Sequence, residues 1–107
     1  MSTQASSNKL RHVVLLAFNA SATASEVRAV ETAFAKLETQ IEEVVALEWG
    51  TNVSPEGHAQ GFTHCFFLTF ASEADRDAYL VHPEHAAFGA LLRPHLDKVC
   101  VVDYRAT

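Results

Sequence analysis

Two stretches of the chain are apolar on both of the faces that a β-strand presents. Leu10–Phe18 (LRHVVLLAF) and Phe62–Phe70 (FTHCFFLTF) have the length of a strand and are rich in branched and aromatic side chains. In the first stretch the two faces are Val14, Leu16 and Phe18 against Val13, Leu15 and Ala17, and in the second they are His64, Phe66, Leu68 and Phe70 against Thr63, Cys65, Phe67 and Thr69. Such strands are typically covered on both sides.

The other segments follow in an order that predicts the fold class. Thr23 and Glu26 form a capping box that begins an amphipathic helix, whose apolar residues recur at intervals of three and four as far as Ile41. The later segments are a strand at Val44–Gly50, a helix from Ser72 to Leu80, a helix that begins at Pro83, and a strand at Val99–Tyr104. This order predicts an α+β fold, a ferredoxin-like four-stranded antiparallel sheet with helices on one face.

Helices on one face leave the other face of this sheet uncovered. The uncovered face would carry Val13, Leu15, Cys65 and Phe67, an apolar patch of the kind that marks an interface. Two such sheets packed face to face would bury the patch. We therefore predict a symmetric homodimer, a dimeric α+β barrel.

Length, charge and cysteine content narrow the class of protein. The 107 residues predict one domain at residues 10–105 after a polar tail at residues 1–9. The net charge of −5 and the absence of a basic run argue against nucleic acid or an anionic membrane surface as a partner, and no apolar run is long enough to span a membrane. The tail lacks the apolar core of a secretion signal, and Cys65 and Cys100 lack the close spacing of a zinc or redox motif. We expect a cytoplasmic protein with two buried, reduced thiols.

Three histidines and a tyrosine are the candidate functional groups. His12 and His64 open the inward faces of their strands, so adjacent strands would bring both imidazoles near one end of the sheet. His85 lies in the first turn of the Pro83 helix, where the helix dipole disfavours the imidazolium form and leaves a neutral ring able to accept a proton. With the Tyr79 hydroxyl, these groups offer the donors and acceptors of general acid–base chemistry.

These polar groups are expected to join an apolar cavity between sheet and helices. The predicted apolar lining is Val14, Leu16, Phe34, Phe66, Phe88 and Val99. Two other interpretations of the histidines are a metal site and simple structural residues. No carboxylate lies at ligand spacing beside them, so we predict neither a metal nor a cofactor, and Asp103 is interpreted as an edge or interface charge. No phosphate loop, nucleophile elbow or dinucleotide motif is present.

Five short motifs follow one another along the chain in the same order as in a known protein family. HVVLLAF, WG, GFTH, TFASEADRDAYLVHPEH and VVDY, between Leu10 and Tyr104, resemble the stress-responsive A/B barrel (Dabb) family. The resemblance implies a dimeric α+β barrel built from ferredoxin-like protomers. One plant member closes a linear polyketide by an aldol condensation without a cofactor, and the last histidine of its HPxH motif is the proposed base, assisted by a tyrosine six residues earlier. By this resemblance His85 is the base, Tyr79 assists it, and His12 and His64 belong to the pocket.

The chain departs from that pattern at two positions. Phe62 stands where the family has tyrosine in GYTH, and Glu31 replaces an aromatic residue of the cyclase's first helix. The sequence is therefore consistent with two functions. One is a cofactor-independent cyclase or lyase that acts by proton transfer on a small apolar carbonyl compound. The other is a non-catalytic stress-response or ligand-binding dimer in which the histidines satisfy one another.

Overall fold

The computed structural model describes residues 9–107 as a sheet with helices packed on one face. The predicted tail at residues 1–9 therefore lies almost wholly outside the described residues. The elements in chain order are β1 (Leu10–Phe18), α1 (Ala24–Gln40), β2 (Ala46–Thr51), β3 (His64–Phe70), α2 (Glu73–Leu80), α3 (Pro83–Leu92), a 3₁₀ turn (Arg93–His95) and β4 (Leu96–Arg105). The strands lie in the order β2-β3-β1-β4, with every neighbouring pair antiparallel. The predicted ferredoxin-like α+β fold is confirmed.

The helix boundaries follow from local hydrogen bonds that the sequence predicts. The Thr23 hydroxyl accepts the backbone N–H of Glu26, and the Glu26 carboxylate accepts that of Thr23, which forms the predicted capping box. Ser72 caps α2 in the same way. Because Pro83 pushes the residue before it out of the helical region, α2 ends at Leu80 and α3 begins at Pro83. The ring nitrogen of His82 accepts the backbone N–H of Glu84 and caps the new helix.

The strand boundaries differ from the prediction by a few residues. A turn from Ile41 to Val44 delays β2, so Val44 is buried in the core without being part of a strand. A shift of register between Ala17 and Phe18 breaks the alternation of β1, so Ala17 is buried while Phe18 is only half-buried. In contrast, β4 is longer than expected because it pairs with β1 along its whole length.

The two faces of the sheet have different surroundings. The inner face packs on the helices and forms one buried core, whose largest fully buried side chains are Tyr79, Phe66, Phe70, Leu16, Leu37, Ile41, Leu68 and Val30. The outer face carries Val13, Leu15 and Phe67, all half-buried. Cys65 and Cys100 also lie on this face as free thiols, and they are half-buried where the sequence predicts buried thiols.

The described helices include none long and apolar enough to cross a membrane.

Candidate functional site

A cavity of ≈ 430 Å³ opens between the inner face of the sheet and the helices α2 and α3. One of its walls comes from β4, the end strand of the sheet. Val99 and Val101 of β4 face inward but remain 47% and 51% exposed. The apolar walls are Val14, Leu16, Phe34, Phe88, Leu92, Val99 and Val101.

Three of the predicted polar residues meet at this cavity. The Tyr79 ring lies between two imidazoles, with ring centroids 5.8 Å from His12 and 4.7 Å from His85. Tyr79 comes from the last turn of α2 and His85 from the first turn of α3, so the sharp break at Pro83 brings them together. Eight of the ten predicted site residues line this cavity: His12, Val14, Leu16, Phe34, Tyr79, His85, Phe88 and Val99.

The Tyr79 hydroxyl is held in its protonated form. Burial raises the pKa of this phenol well above its ordinary value of 10.0, because the phenolate would lose its hydration. Within the described part of the chain, no hydrogen bond joins the hydroxyl to another group, and no fully buried side-chain oxygen lacks a partner. The described residues therefore leave the hydrogen-bond donor of this hydroxyl unused.

The pKa of His85 shifts in the other direction, downward, which keeps its imidazole neutral. Burial lowers the pKa of its imidazole from 6.5, the nearby His12 lowers it further, and a hydrogen bond with the Leu80 backbone partly offsets both effects. A neutral imidazole at neutral pH carries a lone pair that accepts a proton. The cavity thus contains a protonated phenol next to a basic nitrogen.

His12 is held in place by the carboxylate of Asp103. Its Nδ1 lies 2.7 Å from Oδ1 of Asp103, whose Oδ2 accepts a 2.6 Å hydrogen bond from Arg76. Since a carboxylate only accepts, Nδ1 carries the proton, and a neutral His12 has its lone pair on Nε2. Asp103 lies on the edge strand β4, as predicted, but its carboxylate pairs with His12 and Arg76 at the cavity. The alternation Val99, Val101, Asp103 on one face of β4 is the signal that would have placed Asp103 inside.

The remaining two predicted residues, His64 and Phe66, do not line this cavity. Antiparallel pairing places His12 opposite Leu68 and His64 opposite Leu16, so the two histidines share a face but lie at opposite ends of it. The expectation that they meet at one end is therefore wrong. Phe66 is fully buried, with its ring stacked on Phe34 at 3.9 Å between centroids.

His64 has its own polar cluster at the far end of the sheet. Its Nε2 lies 2.7 Å from Oε2 of Glu31, and its Nδ1 lies 2.7 Å from the Thr63 hydroxyl. Glu31, the departure noted in the sequence, thus links α1 to β3 and does not reach the cavity. In the described chain no group of three or more histidine, cysteine, aspartate or glutamate side chains is arranged to hold a metal ion.

A larger depression, of ≈ 730 Å³, lies on the outer face of the sheet beneath the loop that joins β2 to β3. Its floor includes Leu15, Cys65, Phe67 and Cys100, and His64 reaches its rim. The floor coincides with the apolar face for which the sequence predicts a partner.

The fold and the motifs have counterparts among known proteins. The pattern of the family described as Stress responsive A/B Barrel Domain matches residues 10–106. A stress-response A/B barrel domain-containing protein, HS1 of Arabidopsis thaliana, is 36% identical over 92% of this chain and 90% of its own length. Olivetolic acid cyclase of Cannabis sativa is 26% identical over 89% of this chain and 94% of its own.

Solved structures share the whole architecture. The hydroxynitrile lyase of Passiflora edulis superposes with a TM-score of 0.88 at 25% identity, covering 94% of this chain and 95% of its own. A dimeric ferredoxin-like protein of unknown function from Thermobifida fusca has a TM-score of 0.78 at 26% identity, with 91% and 90% covered. The match to the family pattern extends over nearly the whole chain, and so this chain belongs to the stress-responsive A/B barrel domain family.

Proposed function

We propose that this protein binds a small apolar carbonyl compound in the inner cavity and removes a proton from it without a cofactor. The observation that carries the proposal is the contact between His85 and Tyr79 at an apolar cavity, with ring centroids 4.7 Å apart. The pKa shifts keep the imidazole of His85 unprotonated and the phenol of Tyr79 protonated, the states that a proton acceptor and a hydrogen-bond donor require.

In the proposed reaction His85 is the base and Tyr79 the polarising donor. The imidazole accepts the proton from the carbon next to the carbonyl, and the Tyr79 hydroxyl donates a hydrogen bond to the carbonyl oxygen as that oxygen gains negative charge. The proton then returns from His85 to the product. Asp103 acts through His12, since it fixes the imidazole that packs against the Tyr79 ring. Relatives named as a cyclase and as a hydroxynitrile lyase support catalysis on this fold.

The working unit in this proposal is a homodimer that packs outer face to outer face. The half-buried apolar side chains Val13, Leu15 and Phe67 support it, as does a similar protein from Thermobifida fusca described as dimeric. The cavity lies on the opposite face of the sheet, so each protomer would keep its own site open. Two free thiols support a location in a reducing compartment such as the cytoplasm.

A second candidate function is a non-catalytic stress-response protein that only binds its ligand. The similarity to HS1, at 36% identity, favours it. The two candidates differ in one measurable event, which is the transfer of a proton to and from carbon.

Deuterium exchange tests that event without knowledge of the natural substrate. With 4-phenyl-2-butanone in D₂O, NMR should show faster loss of the protons next to the carbonyl when the protein is present. His85→Gln should lower the added rate by about a hundred- to ten-thousand-fold, the range of general-base assistance. Tyr79→Phe should lower it less. The control is His58→Gln, which changes an exposed histidine outside the inner cavity. Binding of the ketone without any exchange would favour the second candidate.

A further inference from the structure

One cation at the inner cavity has no anion to neutralise it. Two aspartates, Asp77 and Asp103, belong to the cavity wall, and both form ion pairs with Arg76. Arg93 also lines the cavity, yet no carboxylate in the described residues lies within ion-pair distance of its guanidinium. His85 also lines the cavity, but its imidazole is held neutral and carries no charge that could interact with Arg93. The net charge of the protein is −5, so an unpaired positive charge at an apolar cavity contrasts with the charge of the molecule as a whole.

A glycine fixes where this guanidinium lies. Gly89 is one turn before Arg93 and one turn after His85, so the three share a side of α3. A β-carbon on Gly89 would lie 3.1 Å from a terminal nitrogen of Arg93. The guanidinium therefore rests in the notch that the glycine leaves, folded back along α3 towards His85. One helical turn, about 6 Å along the axis, separates this notch from His85.

We propose that the carbonyl compound bound in the inner cavity also carries a carboxylate, which binds Arg93 while the apolar part of the compound lies against Val99, Val101 and Phe88. This inference rests on the proposed function, because it adds a substrate class to the same cavity. A guanidinium offers two parallel N–H donors that match a carboxylate, and the exposed side chain of Arg93 is accessible to a ligand that enters the cavity. The carbon from which His85 removes a proton would then lie within about one helical turn of the carboxylate.

Calorimetric titration of a matched pair of ligands tests the inference. The probes are 4-phenylbutanoate and its neutral amide, 4-phenylbutanamide. The acid should bind about tenfold or more tightly than the amide, since a hydrogen bond to a charged group contributes more than a neutral one. Arg93→Gln should abolish that preference and leave the affinity for the amide nearly unchanged. Gly89→Ala should reduce the preference in part, because the added methyl group displaces the guanidinium.

The control is Arg28→Gln, which removes the same charge from an exposed position on α1, outside the cavity lining. It should leave the preference for the acid intact. An equal loss in Arg28→Gln and Arg93→Gln would overturn the inference, since net charge alone would then explain the preference. Equal binding of acid and amide by the unchanged protein would also overturn it while leaving the proposed function in place. Failure of both ligands to bind would count against the cavity as a binding site and thus against both proposals.

Discussion

Replacing Asp103 with alanine removes the anion that holds two elements of the cavity together. Asp103 lies on the end strand β4, accepts the Nδ1 proton of His12 on β1, and accepts a hydrogen bond from Arg76 on α2. His12 is buried and loses the one hydrogen-bond acceptor that the described residues give it, whereas Arg76 keeps the neighbouring Asp77 and access to water. The cost should therefore come mainly from the histidine.

The environments of His12 and Arg76 set the size of the loss in stability. A buried donor left without an acceptor costs about 1–3 kcal/mol. Loss of one partner by the partly exposed Arg76 adds about 0–1 kcal/mol. Together these contributions give a loss of about 1–4 kcal/mol in the free energy of unfolding for Asp103→Ala. The middle of that range, about 2.5 kcal/mol, lowers the Tm of a domain of this size by about 10–20 °C. Asp103→Asn should cost about half as much, because its amide oxygen still accepts the Nδ1 proton.

Thermal and urea unfolding, followed by circular dichroism at one fixed protein concentration, measure these changes. Fixing the concentration matters because association with a partner makes the Tm concentration-dependent. The matched control is Asp77→Ala, which removes the other carboxylate from Arg76 but acts at a side chain that is 67% exposed. It should change stability by less than about 1 kcal/mol. If Asp103→Ala were as mild as Asp77→Ala, the His12 network would not stabilise the fold and our reasoning would be refuted.

Three further predictions test other parts of the molecule. Phe67→Asp on the outer face should yield monomers in light scattering, whereas Val53→Asp, a change at a fully solvated loop position, should not. Burial lowers the His85 pKa in the folded state, so the contribution of this residue to stability is complete above the ordinary value of 6.5 and is lost as the pH falls below it. In urea titrations at several pH values, the free energy of unfolding of His85→Gln should therefore fall less steeply towards acid pH than that of the unchanged protein. Glu31→Gln should lower the Tm by a few degrees by weakening its bond to His64, while the affinity of the inner cavity for ligands stays unchanged.

Most of the fold could be predicted because it depends on local patterns. The capping box at Thr23, the cap at Ser72 and the break at Pro83 are short-range features, and each helix begins where they predict. Strand ends were less predictable because they depend on partners elsewhere in the chain. Thus β4 extends to Leu96 and Arg105 since β1 offers it a partner throughout. The bulge at Ala17 likewise depends on pairing with β4, about eighty residues later.

The candidate site could be predicted only in part, for a related reason. Alternation along a strand shows which face a residue occupies, but not which end of the sheet it reaches once a neighbour runs antiparallel. His12 and His64 therefore share a face, as predicted, and lie at its two ends. Their acidic partners are 91 and 33 residues away in sequence, so no local spacing indicates them.

These pairings also distinguish His85 from the other two histidines. The idea that the histidines satisfy one another is wrong for His12 and His64, because each has a carboxylate at 2.7 Å. A carboxylate that accepts a ring N–H fixes the orientation of the imidazole, which suits a positioning role. His85 has no carboxylate within ion-pair distance in the described chain, and its surroundings favour the neutral form. A neutral histidine that no carboxylate holds can accept a proton from a ligand, and for that reason we propose His85 as the base and His12 as the residue that supports Tyr79.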